Sequence, residues 1–228
     1  MPKLSVAVVA GAQLADYHFG EQHVFGPHRQ QAFLDGMDRM GLATKVVWLD
    51  PVSCDIQSLQ TFHDDNLINM VRQYSESGIG FLDGGDTPAR KGIFEAAITV
   101  VGSVLNVVDG IMGGQFQRGF VPIAGLHHAY RERSSGFCVF NDCAIAIEHL
   151  RQKHHVQKIL YVDMDAHHGD GVFYSYETDS RLFIVDFHED GRYLYPGSGD
   201  IDETGLGSAR GTKLNFPMPL RAGDKEFA

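Results

Sequence analysis

Only three cysteines, Cys54, Cys138 and Cys143, occur in 228 residues, and their spacing forms neither a paired framework nor a zinc ribbon. That scarcity excludes a small disulfide-stapled scaffold and points to a reducing, cytoplasmic setting. Basic residues are also few, 19 against 29 acidic, for a formal net charge of -10. Direct binding to nucleic-acid phosphate is thereby disfavoured, while a cationic substrate is compatible, as is a plain acidic surface. No apolar run is long and clean enough for a membrane span. The most apolar stretch, Gly92 to Gly113, is broken by Glu95, Ser103, Asn106 and Asp109, as in a core helix. The short apolar run from Leu4 to Val9 reads as a first buried strand rather than a signal segment.

What the chain does have is concentrated between Tyr161 and Gly171. Three carboxylates (Asp163, Asp165, Asp170) and two imidazoles (His167, His168) follow the apolar run Lys158 to Asp163, which reads as a strand buried on both faces. Ligands sit outside the carboxyl ends of strands in open parallel sheets, so this position suits a site. Asp165 and His167 are two residues apart, a spacing that in extended chain points both side chains the same way and lets them converge on a divalent ion. The same cluster could serve merely as a solvated turn around Gly169 and Gly171. A second pair, His127 and His128, also follows an apolar stretch and argues against coincidence. Imidazole exchanges protons near neutral pH, and Asp163 and Asp170 are available to orient such a base.

A pass along the chain predicts alternating elements and a three-layer α/β domain with a mainly parallel sheet. A single domain is expected over residues 1–228, since 43% of the chain is apolar and no composition break occurs. Helices are expected from His28 to Met40, with Ala32, Phe33, Met37 and Met40 on one face and Gly41 as a stop, and after Asp64 as far as Gly78. Two more are expected over Gly92 to Gly113 and after Asp142 as cap. His154 and His155, beyond the last of these, read as surface residues. Strands are expected at Leu4 to Val9, Thr44 to Leu49, Phe120 to Ala124, Lys158 to Asp163 and Arg181 to Phe187. Gly191 to Gly211 reads as a shaped loop.

Together, Gly125-Leu-His-His-Ala129, Ser135-Gly-Phe-Cys138, Asn141-Asp142, Asp163 to Gly171 and Tyr195-Pro-Gly-Ser-Gly-Asp200 resemble the histone deacetylase family, which includes acetoin utilisation proteins and acetylpolyamine amidohydrolases. The resemblance implies an arginase/deacetylase-like fold and a zinc-dependent deacylase acting on an acylated lysine peptide or an acetylpolyamine. It implies Asp165 and His167 as two of three ligands to Zn2+ or another divalent ion. His128 is implied as general base and His127 as electrostatic partner, with Asp163 behind His127 and Asp170 behind His128. Gly136 matches the residue whose carbonyl approaches the acyl group, Phe137 and Tyr195 the aromatic channel, and Asp86 a rim position. A monovalent cation, K+ in kind, is implied at Asp163, Asp165, His167, Asp186 and Phe187, although serine is the residue expected where Asp186 stands. Arg29 matches a residue lining a cavity beneath the metal, and Cys138 a packing position. Glycine stands at Gly169 where a binuclear Asp-x-His-x-Asp run needs its second aspartate, which favours a mononuclear site over an arginase-like one. No motif places the family's third zinc ligand or its carbonyl-polarising tyrosine. The chain therefore reads as the amino-terminal two thirds of a catalytic domain, the alternative being a catalytically incomplete binding or scaffold module. A homo-oligomer is compatible with the sequence, and no membrane partner is expected.

Overall fold

The computed structural model describes residues 5–227, so Leu4, where the first expected strand begins, lies outside the described residues. The chain packs as two units, one ending at His154 and the other beginning at His155. In the first unit the elements run β1 (Val6–Val9), α1 (Ala12–Ala15), α2 (His28–Arg39), β2 (Val47–Leu49), α3 (Ile56–Gln60), α4 (Asp65–Ser77), α5 (Ile93–Met112), β3 (Arg118–Phe120) and α6 (Asp142–Gln152). β1 lies between β2 and β3 and pairs parallel with both. The strand expected at Phe120 to Ala124 instead starts two residues earlier and ends at Phe120. Pro122 has no N–H to give a ladder, and the chain turns there, Ala124 N donating to Val121 O at 3.2 Å. Likewise only Val47–Leu49 of the Thr44 to Leu49 run is extended, because Lys45 N donates to Leu42 O at 2.8 Å in a turn.

α5 is long and apolar enough to cross a membrane by length and composition, and two thirds of that stretch is buried inside the fold. Ile93, Val100 and Val101 are wholly buried, each worth about 1.5–3 kcal/mol. α4 begins as expected, Asp64 Oδ1 accepting from Leu67 N at 2.8 Å, and ends at Gly78. α2 departs from its expected face: Met37 is buried, whereas Met40 is exposed as the helix C-cap and Gly41 follows it. α6 corrects the expected cap. Asn141 Oδ1 accepts from Ala144 N at 2.9 Å, which frees the carboxylate of Asp142, one residue on, for another task.

In the second unit β4 (Ile159–Asp163), α7 (Asp170–Ser175), β5 (Leu182–Glu189), β6 (Lys213–Met218) and α8 (Asp224–Phe227) follow in order. β5 is central and parallel to both neighbours, with Asp163 abreast of Asp186 and Asp186 abreast of Asn215. The reading of β4 as buried on both faces is corrected: Leu160 is 63% exposed and Val162 48%. They share a face with Phe183, Leu214 and Phe216, all exposed, while Asp163, Asp186 and Asn215 lie on the buried face. The polar residues are therefore the inward ones at the carboxyl ends of these strands, the reverse of an ordinary sheet pattern.

Candidate active site

In the second unit the end of β4 gathers several candidate side chains. Asp163 is buried, its Oδ2 accepting from Tyr161 OH at 2.6 Å and its Oδ1 from Asp165 N at 3.0 Å. Asp165 Oδ1 in turn accepts from His167 N at 2.8 Å and lies 2.8 Å from His167 Nδ1. Both side chains are partly exposed, at 53% for Asp165 and 39% for His167. A carboxylate oxygen and an imidazole nitrogen this close, facing outward together, suit two ligands of a zinc-class ion. Among the described residues no third donor groups with them. His168 turns the other way. It is buried, with Nδ1 2.9 Å from Ser198 Oγ and its ring 5.0 Å from Phe173 and 4.8 Å from His188. Burial, opposed by nearby carboxylates, lowers its pKa and keeps it neutral. Asp170 opens α7 and is buried, Oδ1 accepting from Gly171 N at 3.0 Å.

Asp186 shows what a carboxylate does where serine is expected. It is wholly buried, with Oδ2 accepting from Gly169 N at 2.9 Å and Oδ1 2.7 Å from His188 Nδ1. His188 Nε2 lies 2.9 Å from Gly199 O. An acceptor near each ring nitrogen favours the protonated form of His188. Burial works against that charge, but Asp186 outweighs it and the His188 pKa is raised. The extra negative charge is thus matched within the unit. Gly199 makes the contact feasible: its φ is 87°, and a Cβ there would stand 2.5 Å from His188 Nε2. Phe187 stacks on Phe216 at 4.8 Å, and Tyr195 is exposed with its ring edge-on to His167 at 6.2 Å.

In the first unit His127 and His128 are both buried, with their Nε2 atoms 3.1 Å apart. At that separation one ring can donate to the other in the appropriate tautomer. The segment carrying them is clamped from α6. Asp142 accepts from Gly125 N at 3.0 Å and Leu126 N at 2.8 Å, and Asn141 Nδ2 donates to His127 O at 3.2 Å and Ala129 O at 2.8 Å. Burial raises the Asp142 pKa despite those N–H donors. His63 braces the clamp, its Nε2 accepting from Asn141 N at 2.9 Å, and burial drives its pKa down to about 4.

Ser135 to Cys138 form a tight hairpin, with Cys138 N donating to Ser135 O at 2.9 Å and Ser135 N to Cys138 O at 3.1 Å. Both central residues, Gly136 (φ 54°) and Phe137 (φ 67°), are left-handed, as a type I′ turn demands. For Phe137 that conformation is costly. It is held by Tyr17 OH donating to Phe137 O at 2.7 Å and Phe137 N donating to Thr87 Oγ1 at 3.0 Å. Its ring meets His23 edge-on at 4.7 Å. Cys138 is buried and its thiol donates to Gly136 O at 3.4 Å, a packing position as expected. Asp86 is exposed on a loop wound around Asp83, whose Oδ1 accepts from the N–H groups of Gly85, Asp86 and Thr87 at 3.0, 3.1 and 3.0 Å. Burial opposes ionisation of Asp83, but these donors and its side-chain partners hold its pKa at about 2. Sequence reasoning missed Tyr17 and Asp83 as supports, although Asp-Gly-Gly-Asp-Thr is a legible turn signal. Arg29 is exposed, with its guanidinium 4.4 Å over the Phe25 ring.

The chain matches the histone deacetylase domain over residues 23–228 and belongs to that family. It is 34% identical over 218 residues to the acetoin utilization protein AcuC of Bacillus subtilis, covering 92% of this chain and 56% of that protein. With histone deacetylase 1 of Homo sapiens it shares 32% identity over 223 residues, 94% of this chain and 45% of that one. Among solved structures it resembles a histone deacetylase homologue from Aquifex aeolicus (TM-score 0.84, 27% identity, 98% of this chain and 62% of that one). It also resembles the HDA15 HD domain (TM-score 0.85, 25% identity, 97% and 64%). The fold is the three-layer α/β deacetylase type expected from the sequence. The chain spans about half the length of the curated relatives it matches.

Proposed function

We propose that the chain carries the chemistry of a zinc-dependent deacylase, hydrolysing the amide of an acetylated lysine side chain or of an acetylpolyamine in the cytoplasm. The observation that carries this reading is the Asp165–His167 donor pair, 2.8 Å apart at the carboxyl end of a parallel strand. Asp165 and His167 hold the divalent ion, zinc or another borderline metal. Bound there, that ion polarises an amide carbonyl and acidifies water. His128 takes the proton of the attacking water and delivers it to the departing amine as the C–N bond breaks. His127 offsets the charge that develops during attack. Asp163 and Asp170 orient the histidines. Phe137 and Tyr195 flank the methylene stem, Gly136 leaves room for the acyl group, and Asp86 receives a substrate N–H or ammonium. Asp163, Asp165, His167, Asp186 and Phe187 are assigned to a monovalent cation, with the charge of Asp186 shared with His188.

Zinc content and hydrolysis of a fluorogenic acetyl-lysine peptide and of an acetylated diamine test the proposal. They should be measured on this chain and on a form extended at its carboxyl end to the length of its relatives. Stoichiometric zinc with turnover of either substrate, lost in His128→Ala, supports it. A folded, zinc-loaded protein with no turnover of either substrate would leave the scaffold reading in its place.

A further inference from the structure

We propose that Asp109, His149 and His154 form a second binding site for a borderline divalent ion of the zinc class, independent of the Asp165–His167 pair. His149 Nε2 lies 2.8 Å and His154 Nε2 2.7 Å from the same oxygen, Asp109 Oδ1. The three ligand atoms all fall within 4.8 Å of one another, and this is the group among the described residues whose spacing lets three donors share an ion. The sequence reading of His154 as a surface residue is thereby corrected, since only 18% of its side chain is exposed, against 16% for His149 and 35% for Asp109. The site is sheltered yet open to solvent on the carboxylate side.

Its surroundings favour a cation. Asp109 lies in the last turn of α5 and His149 in the last turn of α6, so two helix carboxyl ends, each with partial negative charge, meet here. Two imidazole nitrogens and one carboxylate oxygen are a donor set for Zn2+, Co2+ or Ni2+; Mg2+ and Ca2+ prefer oxygen alone. Lys153 Nζ, 2.8 Å from Asp109 Oδ2, is the competing cation.

Titration with Co2+, followed by visible absorption and equilibrium dialysis, tests this in the Asp165→Ala protein. About one equivalent should bind with the absorption of a nitrogen-containing site. The combined change His149→Gln and His154→Gln should weaken it at least tenfold, and Lys153→Met should tighten it severalfold. The single variant His154→Gln, altered beyond the helix end, gives the same reading where the double variant does not fold. An equivalent that survives the histidine changes, or no Co2+ bound by the Asp165→Ala protein, overturns the proposal.

Discussion

The proposed function gives His127 and His128 the proton and Asp165 and His167 the metal, and single substitutions can pull these tasks apart. In a form of the protein that turns over, His128→Ala should cost about a hundred- to ten-thousand-fold in turnover, the range of a lost general base, with zinc content unchanged. Asp165→Ala should lose the metal with the activity. Zinc lost equally from both variants would sink the division of roles. Phe137 offers a second test because its backbone is left-handed at φ 67°. Ala normally outperforms Gly, but where φ is positive the order inverts. Phe137→Gly should therefore be more stable than Phe137→Ala by about 1 kcal/mol, read from urea midpoints, while both raise KM for an acyl-lysine substrate. The usual order would show that Tyr17 and Thr87 impose no strain on this turn.

At the level of elements, α6 positions the histidine segment, since the residues at its start hold that segment and His63 holds them. His63 is neutral with a pKa of about 4 against an ordinary 6.5. Folding thus favours the unprotonated ring, and the stability it contributes is present above pH 6.5 and lost as pH falls towards 4, on the order of 3 kcal/mol across that window. Thermal melts from pH 7.5 to 4 should fall steeply for the parent and less steeply for His63→Gln, with parallel curves counting against the assignment. The Asp64 cap, the ends of α4 and α5, and the placement of Asp165 and His167 after β4 were legible because capping and apolar periodicity are local. β6 was hidden by Lys213 and Pro217. The lysine is wholly buried, its Nζ donating to the carbonyls of Asp179 and Leu182 and to Thr212 Oγ1, partners 34 and 31 residues away and next door. The exchange of capping between Asn141 and Asp142 was equally illegible, because both residue types cap helices well and the donors that draw Asp142 away, Gly125 and Leu126, are 17 and 16 residues distant.

Across the whole molecule the formal charge of -10 sets a field that no single residue accounts for. If the substrate is a cationic peptide or polyamine, as proposed, attraction to an acidic protein raises its local concentration at low ionic strength and is screened as the Debye length shrinks from about 30 Å at 0.01 M to about 10 Å at 0.1 M. The effect belongs in capture rather than chemistry. KM for an acetylated basic peptide should therefore rise severalfold between those salt concentrations while kcat stays level, and an uncharged acetyl-lysine amide should show no such trend. A local cause, the exposed Asp86 on its loop, predicts instead that Asp86→Asn removes most of the salt dependence. A KM insensitive to salt for both substrates would mean that the acidic surface serves solubility alone and that selection of the amine is made by contacts within the channel.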